Sequence, residues 1–325
     1  MIHKKYSLGF FPTPLHSLEN LSKEYPGYKI FMKRDDQTGL ASGGNKTRKL
    51  EYLIQKALDD GYDTVITAGA QQSNHCRQTA AACAKAGLEC HLMVRGTKPK
   101  TYQGNLLLSH LLGAKIHFEG SVRKEVDYES LKKTIDTQGK KTYIIPIGGS
   151  NITGALGFAW AIKEVKEQLK EMDVKMDYVF FASSSGGTQA GLVLGMELYG
   201  LETELVPIKI DKDDAIGKGL EEVVLDIVKD GVQLLSLNKE YTISDVEVNK
   251  NYNQEEYGVL TDKEKYAIAT LAKNEGILLD PVYTGRAFYG MLDCLKNNKI
   301  KLNSNILFWH TGGLPALFGY ADGLK

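Results

Sequence analysis

The sequence predicts an α/β protein in which twisted parallel sheets are flanked by helices. Apolar runs of strand length alternate with helix-like runs, as where DTVITAG (63–69) precedes NHCRQTAAACAKAG (74–87). The strand-like runs are continuously apolar, which is typical of strands covered on both faces. Of the 325 residues 42% are hydrophobic and 25% are charged, the profile of a globular protein with a large core.

The same alternation continues along the chain. The predicted strands are LECHLMVRG (88–96), AKIHFEG (114–120), KTYIIPIGG (141–149), the start of MDYVFFASSSGGTQAGLVLGMELYG (176–200), ELVPIKI (204–210) and the start of NILFWHTGGLPALFGY (305–320). Helices are predicted for TYQGNLLLSHLLG (101–113) and for a long stretch near 213–230. Because no linker rich in glycine and proline separates two halves, two lobes would have to be interwoven.

Charge and cysteine content exclude several classes of protein. Lysine plus arginine and aspartate plus glutamate both number 40, so the basic surplus of a nucleic-acid-binding protein is missing. The four cysteines have no zinc spacing and the seven histidines form no ligand set, so no metal is expected. Cys76 and Cys83 are expected to pack on one helix face. With no signal peptide and no membrane-length apolar run, we expect a cytoplasmic protein without membrane contact.

Four predicted strands end in segments rich in glycine and hydroxyl residues. Ligands of open α/β sheets bind beyond the carboxyl ends of the strands, so function is expected at TAGAQQSNH, IPIGGSN, FASSSGGTQAG and FWHTGGLPA.

The segment VFFASSSGGTQAG predicts a phosphate site. Ser185, Gly186, Gly187 and Thr188 lie between a strand and a helix, where backbone N–H groups converge at a helix N-terminus. Neither G-x-x-x-x-G-K-[ST] nor G-x-G-x-x-G is present, and no cation lies nearby, so a small phosphate monoester such as pyridoxal 5′-phosphate fits better than a nucleoside triphosphate. The alternative is a tight turn with a serine cap.

Pyridoxal phosphate requires a lysine for its Schiff base, and SGGNKTRKLEYL offers one. Lys46 is placed at the start of a predicted helix, where the macrodipole disfavours the charged ammonium and favours the neutral amine. Lys49 follows on the same face and could approach the phosphate. The alternative is that Lys46 is an ordinary solvated lysine.

Two further motifs offer polar groups at predicted junctions. In QQSNHCRQTAA, Ser73, Asn74 and His75 could bind a carboxylate. Ser73 could instead be a helix N-cap. A third alternative is a hydrolase in which Ser73 is the nucleophile and His75 its base, although G-x-S-x-G is absent. In LDPVYTGRAFYG and HTGGLPALFGY, Tyr283 and Thr311 could each offer a hydroxyl, or could simply pack.

Together, five segments resemble the D-cysteine desulfhydrase and 1-aminocyclopropane-1-carboxylate (ACC) deaminase family. They are SGGNKTRKLEYL, QQSNHCRQTAA, SSSGGTQAG, LDPVYTGRAFYG and HTGGLPALFGY, and they span nearly the whole chain in this order. Each segment is weak alone, and the agreement of five makes the resemblance specific. It implies a pyridoxal-phosphate enzyme of the two-lobed fold type II, similar to the tryptophan synthase β subunit.

The resemblance implies roles for the cofactor residues. Lys46 would form the Schiff base and exchange the Cα proton, and Lys49 would support the phosphate. The loop 185–188 would bind the phosphate mainly through backbone amides, and Asn74 would donate to the cofactor's 3′-oxygen.

The resemblance also implies roles around the substrate. Ser73 and His75, beside Asn74, would line the pocket for the substrate carboxylate. Tyr257, in YGVLTD, and Tyr283 resemble the two active-site tyrosines of the family.

Two positions favour the desulfhydrase over the deaminase. Thr284 stands where ACC deaminases have a glutamate that keeps the pyridine nitrogen protonated, and Thr311, the expected partner of that nitrogen, replaces a leucine common in them. A neutral hydroxyl stabilises a pyridinium less than a carboxylate does, and cyclopropane opening requires the stronger electron sink. Arg286, where the family often has lysine, and the details of SSSGGT depart from the common pattern.

We therefore expect a D-cysteine desulfhydrase that forms pyruvate, hydrogen sulfide and ammonia. ACC deaminase, a lyase of another β-substituted amino acid such as cysteate or β-chloroalanine, and a non-catalytic protein that binds an amino acid or the cofactor remain alternatives. The resemblance implies a large cofactor-binding lobe of residues 1–49 and 158–325, an inserted small lobe of residues 50–157, and a homodimer.

Overall fold

The computed structural model describes residues 4–121, 125–212 and 218–324 of the chain. Within these ranges the strands form one sheet of five and one of four. In chain order the strands are β1 (Leu15–Ser17), β2 (Tyr28–Arg34), β3 (Thr64–Ala70), β4 (Glu89–Arg95), β5 (Lys115–Phe118), β6 (Thr142–Ile144), β7 (Tyr178–Ser183), β8 (Glu204–Lys209) and β9 (Ser304–His310).

Helices connect and cover these strands. They are α1 (Glu19–Glu24), α2 (Lys46–Asp59), α3 (Asn74–Ala86), α4 (Gly104–Leu111), α5 (Tyr128–Asp136), α6 (Ile152–Glu171), α7 (Gly187–Tyr199), α8 (Leu220–Leu235), α9 (Asp262–Glu275), α10 (Thr284–Lys296) and α11 (Leu314–Phe318). Short 3-10 helices are Asp35–Gln37, Ile147–Gly149, Ile243–Asp245 and Ala321–Gly323.

The predicted α/β class with parallel sheets is confirmed. The larger sheet has the order β1-β2-β9-β7-β8 and the smaller sheet the order β5-β4-β3-β6. All pairings are parallel except that β1 lies antiparallel to β2 at one edge. Parallel strands of one sheet end at the same edge, so the segments after β7 and β9 lie at one edge of the larger sheet. The segment after β3 lies at the corresponding edge of the smaller sheet, and the crevice is the space between these edges.

Glycines let helix α6 lie close to both helices that begin in this crevice. A Cβ on Gly157 would be 2.3 Å from the carbonyl oxygen of Arg48 in α2, and a Cβ on Gly191 of α7 would be 2.3 Å from the carbonyl oxygen of Ala155. Only glycine permits backbones to approach so closely. The spacing between the starts of α2 and α7 is therefore fixed by backbone contact through α6.

The division into lobes stays a prediction. The strands of the smaller sheet lie between residues 64 and 144, inside the range 50–157. The expected boundaries at 49/50 and 157/158, however, fall within α2 and α6, which pack against each other.

Two other expectations have definite outcomes. The helix expected near 213–230 runs from Leu220 to Leu235 in the structure, and residues 213–217 lie outside the described ranges. Cys76 and Cys83 are buried on α3 as predicted, and all four cysteines are free and buried. Among the described residues, no helix combines the length and apolarity needed to cross a membrane.

Candidate active site

A cavity lies where the segments after β3, β7 and β9 meet the start of α2. It is lined by Asn45, Lys46, Ser73, Asn74, His75, Ile147, Gly148, Ala182, Ser183, Ser184, Ser185, Gly186, Thr188, Tyr283 and Thr311. The structure thus brings together nine of the residues singled out from the sequence. Of the other four, Lys49, Gly187 and Tyr257 lie directly behind this lining, and Thr284 is turned away from it.

A tight turn places Lys46 at the first residue of α2. Gly43 and Gly44 have φ angles of +69° and +131°, which favour glycine. A Cβ on Gly43 would be 1.8 Å from the carbonyl oxygen of Asp36, and one on Gly44 would be 2.4 Å from Gln78 Nε2. The two glycines before the lysine are therefore required by the close approach of this turn to its surroundings.

Lys46 has the electrostatic environment of a nucleophilic amine. Its Nζ donates to Asn45 Oδ1 at 3.3 Å. Burial lowers the pKa of Lys46 to about 8, and the carboxylate of Asp280 opposes that shift. The sequence predicted a lowered pKa from the helix N-terminus, whereas the structure makes burial the main cause. A lysine with a lowered pKa is a competent nucleophile.

Lys49 is a second lysine whose charge lacks an anionic partner among the described residues. Its Nζ is buried and donates to the carbonyl oxygen of Gly148 at 3.0 Å. Burial, and then the charge of Lys46, hold its pKa well below the ordinary value. A Cβ on Gly187 would lie 3.0 Å from this Nζ, so an anion on the loop 185–188 would be near enough to stabilise the ammonium.

The loop 185–188 has the form of an anion-binding helix start. Gly186 has a φ of +82° and α7 begins directly after it, so the first amides of α7 have no acceptor within the helix. Ser150 Oγ donates to Ser185 Oγ at 2.8 Å and accepts from the amide of Gly187 at 3.2 Å. Ser150 was not singled out from the sequence, although it lies in the highlighted segment IPIGGSN.

The start of α3 provides a second group of free amides. Ser73 is the N-cap, and its Oγ accepts from the amide of Cys76 at 3.2 Å, so its capping role is confirmed. The first amides of the helix, those of Asn74 and His75, have no acceptor within it. Together with the helix dipole, they favour a carboxylate at this point.

The side chain of Asn74 is held in one orientation. Its Oδ1 accepts from Asn105 Nδ2 at 2.9 Å and lies 3.5 Å from a terminal nitrogen of Arg77. Its Nδ2 is therefore the group left to donate into the cavity, as the family role of Asn74 requires. Asn105 was not singled out, because a lone asparagine near a predicted helix start carries no signal of a contact to a distant helix.

His75 is neutral, with a defined tautomer. Thr67 Oγ1 donates to the carbonyl oxygen of Ile145 at 2.8 Å and therefore accepts from His75 Nε2, at 2.7 Å. Nδ1 is then a bare acceptor, and it is buried without a hydrogen-bond partner. Burial, followed by the charges of Lys46 and Lys49, holds the pKa of His75 well below its ordinary value.

This arrangement bears on two expectations for His75. A bare Nδ1 donates no hydrogen bond to a carboxylate, so in this tautomer the α3 amides are the better donors. The imidazole also makes no hydrogen bond to Ser73, so the serine–histidine pair of the hydrolase alternative is not formed.

Tyr257 and Tyr283 form a hydrogen-bonded pair at the cavity wall. Their hydroxyl oxygens are 2.6 Å apart. Burial is the largest cause that raises the pKa of each phenol, and the nearby charge of Asp211 contributes to both shifts. Asp211 also accepts from Ser184 Oγ of the cavity lining. Both phenols are therefore neutral donors beside the cavity.

Thr284 does not line the cavity. It is fully buried, its Oγ1 donates to Asp280 Oδ1 at 2.7 Å, and it accepts from the amide of Asp280 at 2.8 Å. Asp280 also accepts from the amides of Tyr283 and Thr284, at 2.9 and 2.8 Å, and so fixes the turn that presents Tyr283. The assignment of Thr284 as a cofactor contact was made from the resemblance, and the hydroxyl is committed to Asp280 instead.

Thr311 and Arg286 have different surroundings. Thr311 lines the cavity, and its carbonyl oxygen accepts from the amide of Asn45 at 2.9 Å, which ties the end of β9 to the Lys46 turn. Arg286 is buried and donates to Glu264 Oε1 at 2.7 Å and to the carbonyl oxygen of Ile210 at 2.7 Å. Arg286, which stands where the family often has lysine, thus connects α10 to α9 and to the end of β8.

Comparison with known proteins agrees with this arrangement. Residues 6–312 match the family described as pyridoxal-phosphate dependent enzymes. The chain belongs to this family. It is 40% identical over 315 residues to a D-cysteine desulfhydrase from Salmonella paratyphi A, covering 95% of this chain and 94% of that protein. It therefore depends on pyridoxal phosphate and has fold type II.

Solved structures extend the comparison. The structure of an ACC deaminase homologue is 36% identical, with a TM-score of 0.88, and covers 99% of this chain and 95% of that one. A hydrogen sulfide-producing enzyme from Fusobacterium nucleatum is 20% identical, with a TM-score of 0.64, over 97% of this chain and 98% of that one. The second likeness shows the fold alone.

The residues around the cavity fit the cofactor. Lys46 would supply the amine for its aldehyde, and the start of α7, beside Lys49, would supply amides for its phosphate. Gly187 allows Ser150 and Lys49 to approach this helix start closely, since a Cβ there would lie 2.8 Å from Ser150 Oγ and 3.0 Å from Lys49 Nζ. The Asn74 amide and the Thr311 hydroxyl are the remaining polar groups suited to its ring substituents.

Proposed function

We propose that this protein is a D-cysteine desulfhydrase, a carbon–sulfur lyase that converts D-cysteine and water to pyruvate, hydrogen sulfide and ammonia. The observation that carries the proposal is the Lys46 amine, with its pKa lowered to about 8, in a cavity whose lining, among the residues that the structure describes, offers hydroxyls and no carboxylate. The Salmonella relative, 40% identical, supports the substrate.

When bound, pyridoxal phosphate supplies an electron sink for the substrate Cα. Lys46, as the neutral amine, takes the Cα proton, and the electron pair of the broken Cα–H bond forms the Cα–Cβ double bond as thiolate leaves Cβ. The thiolate takes up the proton that Lys46 removed, which restores the neutral amine, and departs as hydrogen sulfide. The released 2-aminoacrylate hydrolyses to pyruvate and ammonia.

The start of α3 positions the substrate in this proposal. Its free amides and the Ser73 hydroxyl hold the carboxylate, and His75 fills the adjoining wall as a neutral ring. Fixing the carboxylate orients the Cα–H bond toward Lys46, so that much of the barrier is removed by positioning. Asn74 Nδ2, left free by the contacts of its Oδ1, would donate to the 3′-oxygen of the cofactor.

The tyrosine pair serves the leaving group. Tyr283 lines the cavity and its hydroxyl is 2.6 Å from that of Tyr257, so one phenol of the pair can donate outward while the other supports it. Because both pKa values are raised, the phenols stay protonated and can donate to a departing thiolate without repelling it.

A hydroxyl as the partner of the pyridine nitrogen would favour thiol elimination over ring opening. Thr311 is the cavity residue at the position assigned to the partner of that nitrogen, and a hydroxyl stabilises a pyridinium less than a carboxylate does. ACC deaminase activity is the second candidate, because the 36% identical structure is that of an ACC deaminase homologue. Lyases of cysteate or β-chloroalanine share the same machinery, and a non-catalytic binding protein would keep the cavity.

Substrate assays decide between these functions. Purified enzyme with pyridoxal phosphate is given D-cysteine, L-cysteine, D-cysteate, β-chloroalanine and ACC separately, with Lys46→Ala as the matched inactive control. We expect sulfide and pyruvate from D-cysteine. Formation of 2-oxobutanoate from ACC at the higher kcat/KM would replace the proposal by the deaminase. A ligand that binds and yields no product over long incubation would indicate a binding protein.

The homodimer and the reducing compartment belong to the same proposal. The family resemblance supports a dimer, which light scattering on the purified protein would test; a monomeric mass at micromolar concentration would refute it. Four free, buried cysteines are compatible with a reducing compartment such as the cytoplasm.

A further inference from the structure

Arg77 of α3 is a fully buried cation whose hydrogen-bond partners are all neutral. Its Nε donates to Asn105 Oδ1 at 2.6 Å, and its two terminal nitrogens donate to the carbonyl oxygens of Ala41 and Gly43, the latter at 3.0 Å. Asn74 Oδ1 lies 3.5 Å from one of them. Burial lowers the pKa of Arg77 to about 10, and no charged group contributes to that shift.

A buried charge held only by neutral dipoles is unusual. Buried arginines are normally paired with a carboxylate, because desolvation of an unpaired ion is costly. Arg48 and Arg286 follow that rule through Asp35 and Glu264. The charge of Arg77 is instead balanced by nothing within hydrogen-bonding distance among the described residues, which points to an anion in the adjoining cavity.

Arg77 reaches that cavity through Asn105 and Asn74. The Oδ1 atom of Asn105 accepts from Arg77, and its Nδ2 donates to Asn74 Oδ1 at 2.9 Å and to the carbonyl oxygen of Gln72 at 2.9 Å. Because the side-chain oxygen of Asn105 accepts from Arg77 and that of Asn74 accepts from Asn105, this series of hydrogen bonds has one direction. It ends in the N–H of Asn74, and donation in series strengthens that last donor.

The same guanidinium also fixes the turn before Lys46. Ala41, Ser42, Gly43 and Gly44 all have positive φ angles, from +43° to +131°, so the turn is a strained conformation that needs external support. The contacts from Arg77 to Ala41 and Gly43 provide it. One side chain therefore joins the backbone that carries Lys46 to the amide of Asn74.

We propose that Arg77, through Asn105, is a positioning residue that aims the Asn74 amide at the 3′-oxygen of pyridoxal phosphate and stabilises negative charge there, while holding the turn that presents Lys46. The inference rests on the proposed role of Asn74 and on the cofactor, and it is independent of which amino acid is the substrate.

The effect of the Arg77 charge is tested on the holoenzyme without substrate. The measurement is the pH dependence of the visible absorption band of the bound cofactor. Removing a nearby cation raises the pKa of any titrating group, so the pH midpoint of the band in Arg77→Met should rise by about one unit. Arg77→Lys keeps the positive charge, so the pH midpoint of the band should move by less than half as much as in Arg77→Met. It loses the contacts of the planar guanidinium, so kcat should fall.

The relay is tested by Asn105→Ala, with Ser109→Ala as its control. Ser109 is also buried on α4 and donates only to the carbonyl oxygen of Asn105, at 2.9 Å, so its variant perturbs α4 without touching Asn74. We expect the dissociation constant of pyridoxal phosphate to rise about tenfold in Asn105→Ala, the loss of one buried hydrogen bond, and to stay within twofold in Ser109→Ala.

These outcomes decide the inference. An unchanged midpoint in Arg77→Met, or cofactor affinity in Asn105→Ala equal to that in Ser109→Ala, would reduce Arg77 and Asn105 to packing residues. If Arg77→Met does not fold, Arg77→Lys and Asn105→Ala test the inference by the same criteria. Absence of sulfide release from D-cysteine would refute the proposed function and leave this test unaffected.

Discussion

Helix α2 separates two groups of buried charges that differ in balance. On one side Arg48 joins Asp35, Glu164 and Lys33; on the other, Lys46 lines the cavity and Lys49 lies directly behind its lining. The first group has two positive and two negative side chains in direct contact. The second has cations in contact with neutral oxygens.

The balanced group is closed on itself. Arg48 donates to Asp35 at 2.8 Å and to Glu164 at 2.9 Å, Lys33 pairs with Glu164, and the indole N–H of Trp309 donates to Asp35 at 2.9 Å. Each charge has an opposite partner, so nothing further is needed at this place.

The cavity group is open. Lys46 donates to the side-chain oxygen of Asn45 and Lys49 donates to the carbonyl oxygen of Gly148. Arg77 of α3 likewise donates to carbonyl oxygens of the turn before α2. Burial alone therefore does not identify a functional charge. A buried charge with balanced partners stabilises the fold, whereas a buried charge on neutral partners is suited to an anionic ligand.

The largest expected effect follows from Lys46→Ala. Turnover should fall by at least about 10³-fold, because the nucleophile and the base are removed together. The free energy of unfolding of the apoenzyme, from urea denaturation, should not fall, because the lost group is a partly buried cation that contacts no anion among the described residues. A variant that keeps full turnover, or one that is destabilised like an Arg48 variant, would break the contrast between the two groups.

Arg48→Met tests the balanced group. Removing Arg48 leaves the buried carboxylate of Asp35 without a cation in direct contact, so we expect a loss of about 3–5 kcal/mol in the free energy of unfolding. The pH midpoint of the cofactor band should be unchanged. Urea denaturation and pH-dependent absorption measure the two quantities; a loss below about 1 kcal/mol would mean that the group is not the stabilising one.

The balanced group also predicts how the stability of the protein depends on pH in acid. Despite burial, which acts in the opposite direction, contacts with Arg48 and Lys33 lower the pKa of Glu164 from 4.5 to about 2. A depressed pKa contributes stability above the unfolded value, and that contribution is lost as the pH falls from about 4.5 to about 2. The midpoint urea concentration should drop across this window in the parent protein and drop less steeply in Glu164→Gln. Equal slopes would contradict the assignment.

The smallest expected effect comes from a third, solvated part of α2. Lys56 pairs with Asp60 at 2.9 Å on the exposed surface, and such pairs contribute less than about 0.5 kcal/mol. Lys56→Ala should therefore leave stability, cofactor absorption and turnover unchanged within error. A measurable change in any of them would show that position along α2, rather than charge balance, governs the other variants.

Much of the fold was predictable because the parallel strands of a sheet end at the same edge. The continuous apolar runs before Ser73, Ser185 and Thr311 predicted parallel strands, and the glycine-rich turns predicted where the chain approaches a ligand. The geometry of the larger sheet then brings Ser185 and Thr311 to the same edge, whereas the meeting of Ser73 with them depends on how the two sheets pack. The antiparallel edge strand β1 was missed because its three residues carry too short a pattern.

The supporting residues could not be predicted in the same way. Asn105 and Arg77 act through contacts between α3, α4 and the turn before α2, which no local pattern encodes. Asp280 had a usable signal, since an aspartate before proline and a helix start is a frequent capping residue. Thr284 was assigned by its place in a motif, and its commitment to Asp280 depends on a side-chain orientation that only the structure provides.

The central claim, that Lys46 carries the cofactor, has one direct test. The holoenzyme is reduced with borohydride, digested and mapped by mass spectrometry, so that the lysine bonded to pyridoxal phosphate is located. We expect the pyridoxyl group on the peptide that contains Lys46 and at that residue, with Lys49 unmodified. A pyridoxyl group on Lys49 or another lysine, or a reduced protein without any, would contradict the account.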